Sequence, residues 1–258
     1  MQILIFTFLF GLIIGSFLNV CIYRIPRKLS LTDPVFSQCP GCNKQLLPWM
    51  NIPVVSWLCL RAKCWFCKKP ISGQYPLVEI LSGFACAASY SHFGITPTGI
   101  LIYLLTATLI VISFIDFEFK IIPDVISFPG MTLGLIVGII AEYTNIFAWP
   151  ITTGAINSLI GFLVGGGFFY IIAYVYYFFT KQIGIGGGDI KLMAMVGALL
   201  GWEAIPPSIF VGSFVGAIVG ILMMLFQGTG RKTEIPFGPW LSVGTILYMF
   251  TSLPFFRM

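Results

Sequence analysis

The chain has 258 residues, of which 58% are hydrophobic and 9% charged, and its mean hydropathy is +0.97. A soluble globular domain carries roughly 25% charged residues, so this composition excludes that class and describes a membrane protein. The formal net charge of +5 would suit nucleic acid or anionic lipid, but the basic residues stand beside apolar stretches, a pattern that reads as topology and not as a nucleic-acid face.

From Met1 to about Tyr23 the chain is apolar, with no Lys or Arg before the stretch and Arg24, Arg27 and Lys28 directly after it. A secretory signal carries its positive charge first and ends at a small-residue cleavage site. The opposite order here predicts a retained first span with its N-terminus outside. Residues 24–76 then turn polar, hold eight basic residues and form the sizeable piece outside the membrane. Within them lie Cys39-Pro40-Gly41-Cys42 and Cys64-Trp65-Phe66-Cys67, separated by 21 residues. That is close to the zinc spacing in which two Cys-x-x-Cys turns each present two thiolates and together complete a tetrahedron. Two disulfides or a redox pair are the competing readings. Metal would supply folding energy that this core-poor segment lacks. Cys21, Cys59 and Cys86 read as apolar filler.

Further apolar stretches at about 77–91, 98–115, 125–141, 153–180, 189–201, 207–226 and 239–253 bring the expected count of transmembrane helices to about eight. Some are shorter than the ~20 residues that cross a 30 Å core, and the stretch beginning at Asp189 is expected to cross only in part. The expected fold is an all-α polytopic membrane protein with a small cytoplasmic loop that binds zinc through four cysteines. Its divisions are a first transmembrane helix at 1–23, a Cys-rich region at 24–76 and a multi-helix membrane domain at 77–258. With the N-terminus outside, alternation puts 13 of the 14 basic residues on the inner side, Lys191 snorkelling to it and Arg257 alone outside. The Cys-rich loop is then cytoplasmic, where thiols stay reduced and metal is favoured over disulfide. Gly212, Gly216 and Gly220 share one face of a span and predict close helix packing.

The chemistry concentrates in acids at the inner ends of spans. Gly186-Gly187-Gly188-Asp189-Ile190-Lys191 sets a carboxyl group at a glycine-rich entry into an apolar segment. An acid in such a place costs about 2.5–3.5 kcal/mol at a helix centre and is by default a functional residue. The plainer reading makes Asp189 an N-cap, which leaves the glycines unexplained. Asp116 ends a span running inward while Asp189 begins one running outward, so the two reach similar depth on the cytoplasmic side. Two close carboxyl groups share a proton: one acts as base on water while the other polarises a scissile carbonyl. The chain's one histidine, His92, falls in an outer loop, so no serine-histidine or cysteine-histidine pair can form at the inner face, and no His-Glu-x-x-His motif is present. A serine-lysine pair using Lys191 has no marked serine. Asp124 reads either as a helix cap or as part of the site, Glu118 and Lys120 as loop charges, and Glu79 as a partner of Arg24 or a contact to substrate.

Read together, Gly15-Ser16-Phe17-Leu18-Asn19-Val20, Tyr23-Arg24-Ile25-Pro26, the two Cys-x-x-Cys pairs, Tyr75-Pro76-Leu77-Val78-Glu79, Ile115-Asp116, Ile122-Pro123-Asp124, Gly186-x-Gly188-Asp189-x-Lys191-Leu192 and Ile235-Pro236-Phe237-Gly238-Pro239 resemble bacterial prepilin peptidases over nearly the whole chain. The resemblance implies an aspartic endopeptidase of the inner membrane that cuts type IV prepilins and pseudopilins after a leader-terminal glycine on the cytoplasmic side. It implies catalysis by Asp116 and Asp189, zinc on Cys39, Cys42, Cys64 and Cys67, and methylation of the new amine with S-adenosylmethionine. No Rossmann-type glycine-rich loop is visible, so the methyl transfer rests on the resemblance alone. The chain departs from the commonest pattern at Glu118 and Gly187, neither a presumed catalytic carboxylate. A prepilin leader is basic and the loop is basic too, so substrate contacts are expected from Glu79, Asp124, Gly186, Gly188 and Lys191, with lipid and no nucleic acid as further surroundings. Two other readings use the same acids: a presenilin-like protease of other substrates, and a non-enzymatic proton or ion pathway, whose acids would be spread through the membrane depth.

Overall fold

The computed structural model describes residues 2–34, 36–152, 154–181, 186–227 and 236–251. Arg231, Lys232 and Arg257 of the charge argument, Ile235 of the Pro-Phe-Gly-Pro motif, and the expected span ends Thr153 and Leu253 lie outside the described residues. Among the described residues no strand occurs, and the β pairing consists of isolated bridges, Gln38 with Gln45 and Lys63 with Pro70. The helices are α1 (Gln2–Arg24), α2 (Val55–Cys59), α3 (Gln74–Phe93), α4 (Pro97–Phe119), α5 (Asp124–Tyr143), α6 (Ala155–Thr180), α7 (Gly187–Leu200), α8 (Ile205–Gln227) and α9 (Gly238–Phe250), with short 3-10 turns at Pro48–Asn51 and Trp202–Ala204.

Each expected apolar stretch falls in a helix, its ends displaced by a few residues. Among the described residues five segments are long and apolar enough to cross a membrane: Gln2–Arg24, Pro97–Phe119, Asp124–Tyr143, Ala155–Thr180 and Trp202–Phe226. Helices suit lipid because they satisfy their own backbone polar groups. Their apolar side chains stay exposed, as at Phe210, Phe214, Leu225 and Phe226 of α8. At 1.5 Å per residue the 14-residue α7 is about 21 Å long, short of a ~30 Å core.

Backbone contacts divide the chain into two compact units, residues 1–111 and 112–258. In the first, α1 packs on α3 through small residues. A Cβ on Gly11 would strike Ser82 and Cys86, and one on Gly15 would stand 2.6 Å from the Glu79 Cα. Close approach lets polar groups pair inside an apolar contact: Ser82 Oγ donates to the Gly11 carbonyl at 2.8 Å, and Asn19 Nδ2 donates to the Tyr75 carbonyl at 3.0 Å. Thus the start of α3 lies against the end of α1.

The second unit is built around α7, buried without a break from Leu192 to Leu200. Helix α6 meets α7 backbone to backbone, since a Cβ on Gly161 would strike the Gly197 carbonyl and one on Gly197 the Gly161 carbonyl. Ser158, buried on α6, directs its hydroxyl at the carbonyls of Ala198 and Gly134, at 2.6 and 3.2 Å, and so links α7 and α5. Gly212 and Gly216 of the glycine row on α8 lie against Trp240 of α9, the close contact their spacing predicts.

Candidate active site

Asp116 sits one turn before the end of α4 and is 6% exposed. Its Oδ2 accepts the Gly238 N–H at 3.0 Å. That N–H opens α9, where Phe237 is the N-cap and Pro239 follows. The first amides of a helix have no partner within it and carry the positive end of its dipole, so a carboxyl group placed there answers both needs. No side chain fits at this point: a Cβ on residue 238 would stand 2.8 Å from Asp116 Oδ2.

Asp189 occupies the third position of α7. Its backbone N–H turns back to the Gly186 carbonyl at 3.1 Å, and the helix N-cap is Gly186, with no capping side chain. The N-cap reading of Asp189 therefore fails. Its carboxyl group is half-buried and lies close enough to Asp116 for the two charges to act on each other. Ile122 is the spacer between the two helix starts. A Cβ on Gly188 would meet Ile122 Cβ at 3.0 Å, and one on Gly238 would meet Ile122 Cδ1 at 3.3 Å. Glycine at 188 thus lets the first turn of α7 close on the 120–123 loop, whereas a Cβ at Gly187 would meet nothing within 4 Å. This openness accounts physically for the departure from the commonest pattern at 187. Gly186 is exposed beside the Asp189 carboxylate.

Asp124 is not an N-cap either. It is the first residue of α5 after the N-cap Pro123, and its Oδ1 pairs with Lys191 Nζ. The pair ties the start of α5 to the first turn of α7, two residues past Asp189, with both groups partly open to solvent. The structure thus brings Asp116, Asp189, Asp124, Lys191, Gly186 and Gly188 into one unit. Gly238 and Ile122 were not singled out from sequence as site residues, although both stand in motifs that carry the resemblance; the local signal for the first was Gly-Pro at the head of an apolar stretch, and for the second the Ile-Pro-Asp that leads into α5.

Glu79 belongs to the other unit. Its Oε2 accepts the Val54 N–H at 2.7 Å, and Ser16 is a second partner. The expected pair with Arg24 does not form. Arg24 instead donates to the carbonyls of Ser30, Leu31 and Pro34, so it closes the turn after α1.

The four cysteines of the two Cys-x-x-Cys turns converge, with all sulfurs within 4.8 Å of one another. The turns are alike. Cys39 N–H donates to Lys44 O and Asn43 N–H to Cys39 O; Cys64 N–H donates to Lys69 O and Lys68 N–H to Cys64 O. Asn43 and Lys68 occupy the left-handed region at φ 54° and 58°. Sulfurs held at about 2.3 Å by a tetrahedral ion lie about 3.8 Å apart. Cys39 and Cys67 Sγ are 3.8 Å apart, so the donor set fits zinc. The Cys67 N–H aimed at Cys64 outweighs burial and draws that thiol down, whereas burial pushes the Cys39 thiol up.

Comparison with known proteins adds the following. Residues 9–93 match the Bacterial Peptidase A24 N-terminal domain and residues 103–221 the Type IV leader peptidase family. A prepilin leader peptidase/N-methyltransferase of Pseudomonas aeruginosa is 35% identical, covering 92% of this chain and 86% of its own. Proteins of the same description from Myxococcus xanthus and Xanthomonas campestris pv. campestris are 39% and 36% identical, over 89% and 90% of this chain and 66% and 86% of theirs. No solved structure matches.

Gly238→Ala is expected to slow turnover at this site by about tenfold to a hundredfold, the scale of losing one charge-assisted hydrogen bond to a reacting group. Gly187→Ala should leave the rate within about twofold, because its Cβ has open space. Single-turnover rates of the two variants, with thermal midpoints as the folding control, check both.

Proposed function

The chain belongs to the type IV leader peptidase family, and from that premise we infer that it cleaves the leader peptides of prepilins and N-methylates the product. It is a multi-pass protein of the inner membrane. The finer reading is an aspartic endopeptidase acting on type IV prepilins or pseudopilins after a glycine, at the cytoplasmic face. The observation that carries it is that the helix start bearing Asp189 and the one whose Gly238 N–H holds Asp116 both close on Ile122, within one compact unit.

In this reading Asp116, already accepting the Gly238 N–H, is the carboxylate that takes a proton from water. The water oxygen bonds to the scissile carbonyl carbon while Asp189 gives its proton to the carbonyl oxygen. Collapse of the resulting gem-diol breaks the C–N bond. The proton on Asp116 passes to the leaving amine, and a hydroxyl proton of the gem-diol returns to Asp189, which restores the pair. Gly186 leaves the space beside the Asp189 carboxylate free of a side chain, and Asp124 and Lys191 complete the substrate contacts of this unit. Glu79, in the other unit, is a separate acidic contact to the basic leader.

Cys39, Cys42, Cys64 and Cys67 hold a structural zinc that fixes the loop and takes no part in hydrolysis. The methyl donor is S-adenosylmethionine. Among the described residues no strand leads into a glycine-rich helix start, so a Rossmann-type cradle for it is lacking there and no residue is assigned to it. The topology has about eight membrane segments, with α3, α7 and α9 added to the long spans and α7 crossing only in part, the N-terminus outside and the Cys-rich loop cytoplasmic. The divisions are 1–23, 24–76 and a peptidase domain at 77–258. Lipid surrounds the chain, and nucleic acid is not a partner.

Asp116→Asn and Asp189→Asn should each lower prepilin cleavage by roughly 10²- to 10⁴-fold with the fold retained. Cleavage by either variant at the unaltered rate would remove the catalytic assignment. Native mass measurement should find about one zinc per chain, lost in Cys64→Ser, as four thiolates completing a single tetrahedron require.

A further inference from the structure

The segment between α1 and α3 carries an apolar row that packing within its unit does not cover. Trp49, Ile52, Val55 and Leu58, every third residue, are 41%, 48%, 52% and 61% exposed. Four large apolar side chains exposed within ten residues of one folded segment are the kind of surface that marks an interaction.

The depth of this row is fixed by a pin. Val54 sits at φ 61° and ψ −49°, a left-hand conformation costly for a β-branched residue, in a γ-turn closed by the Val55 N–H on the Pro53 carbonyl. The turn frees the Val54 N–H for Glu79 Oε2 at 2.7 Å. Glu79 lies opposite Gly15 and bonds Ser16 on α1. Those residues precede Arg24, the basic end of the α1 span, by eight or nine positions, about 12–14 Å along the helix. The loop is therefore folded back beside a membrane helix, to well below the level where that helix ends in a cation.

Charge selects the surroundings. From 25 to 73 the loop has seven basic residues, Arg27, Lys28, Lys44, Arg61, Lys63, Lys68 and Lys69, against the single acid Asp33. Trp49 and Trp65 stack edge to face at 5.7 Å, Lys68 lies 5.0 Å over Trp65, and Lys44 lies 5.2 Å over Phe66. Tryptophan beside lysine, with apolar neighbours on one side, is the composition of a lipid headgroup layer. Basic residues near an anionic leaflet each add about 1 kcal/mol of attraction.

We propose that residues 49–58 are an in-plane anchor seated in an anionic phospholipid leaflet, with Trp49, Ile52, Val55 and Leu58 at the acyl boundary and Lys44 and Lys68 at the phosphates. The anchor holds the thiol cluster against the membrane surface. It is independent of which bond the enzyme cleaves.

The test uses the full chain in nanodiscs of phosphatidylethanolamine and phosphatidylglycerol with acyl chains brominated near the headgroup. Trp57, Trp149, Trp202 and Trp240 are replaced by Phe, so that Trp49 and Trp65 alone emit. Emission should fall by roughly half or more relative to unbrominated discs, since Trp49 sits at the acyl boundary and Trp65 is packed against it. Lys44→Glu with Lys68→Glu should weaken the quenching in anionic discs and leave it unchanged in phosphatidylcholine. On the unaltered chain, which meets the case of a variant that does not fold, amides 49–58 should exchange at least about threefold more slowly in anionic than in phosphatidylcholine discs. Unquenched emission with equal exchange in both bilayers would overturn the proposal. Protected amides without quenching would overturn it too, by showing that protein and not lipid covers the row.

Discussion

A carboxyl group buried at the end of an apolar helix needs a donor, and for Asp116 the donor comes from 122 residues later in the chain. The Gly238 N–H reaches it because α9 begins there, with Pro239 fixing the first turn and no Cβ at 238 to hold the carboxylate away. Much of the site follows from that one contact. It draws the start of α9 down onto the end of α4, traps Ile122 beneath both, and leaves Gly188 as the residue that can carry α7 over the same isoleucine. Asp189 then arrives beside Asp116 as a consequence of backbone packing.

The same device recurs through the chain. Glycine at helix contacts removes side-chain bulk so that backbones meet, and the polar groups exposed by close approach are paired by small hydroxyls and amides. Ser158 between α5, α6 and α7 and Ser82 between α1 and α3 do this in their separate units. In lipid, where burial of apolar surface does not drive helices together, such packing and hydrogen bonding carry association. The rigid frame that results is what two reacting groups need, since a misplacement of about 1 Å in such a pair costs on the order of a hundredfold in rate.

Much of this was legible in the sequence, for reasons that differ by residue. Apolar length located the helices, and the placing of Asp116 at the end of one apolar stretch and Asp189 at the start of another led to the expectation that the two lie near each other although 73 positions apart. The cysteine turns were legible because the chemistry of a tetrahedron is written in local spacing. Capping, set aside for Asp189 and left open for Asp124, holds for neither. The rule that favours Asp at N-caps holds for helices whose ends face water, and here Gly186 and Pro123 take the caps while the acids meet other side chains. The pairing of Asp124 with Lys191, of Glu79 with Val54 and of Asp116 with Gly238 could not be read, since each joins residues brought together by tertiary packing. Val54 was opaque for a further reason: a valine at positive φ runs against its own backbone preference, and only its long-range partner explains it.

The central claim is that two carboxyl groups act on water and neither attacks the peptide itself. It is tested most directly by a single turnover of prepilin in water enriched in oxygen-18, with excess enzyme and mass analysis of both partners. Attack by water predicts the heavy oxygen in the new carboxylate of the released leader at the first turnover, and none in the peptides that contain Asp116 and Asp189. An unlabelled leader, with the label appearing on either aspartate, would mean a covalent acyl-enzyme and would contradict the account.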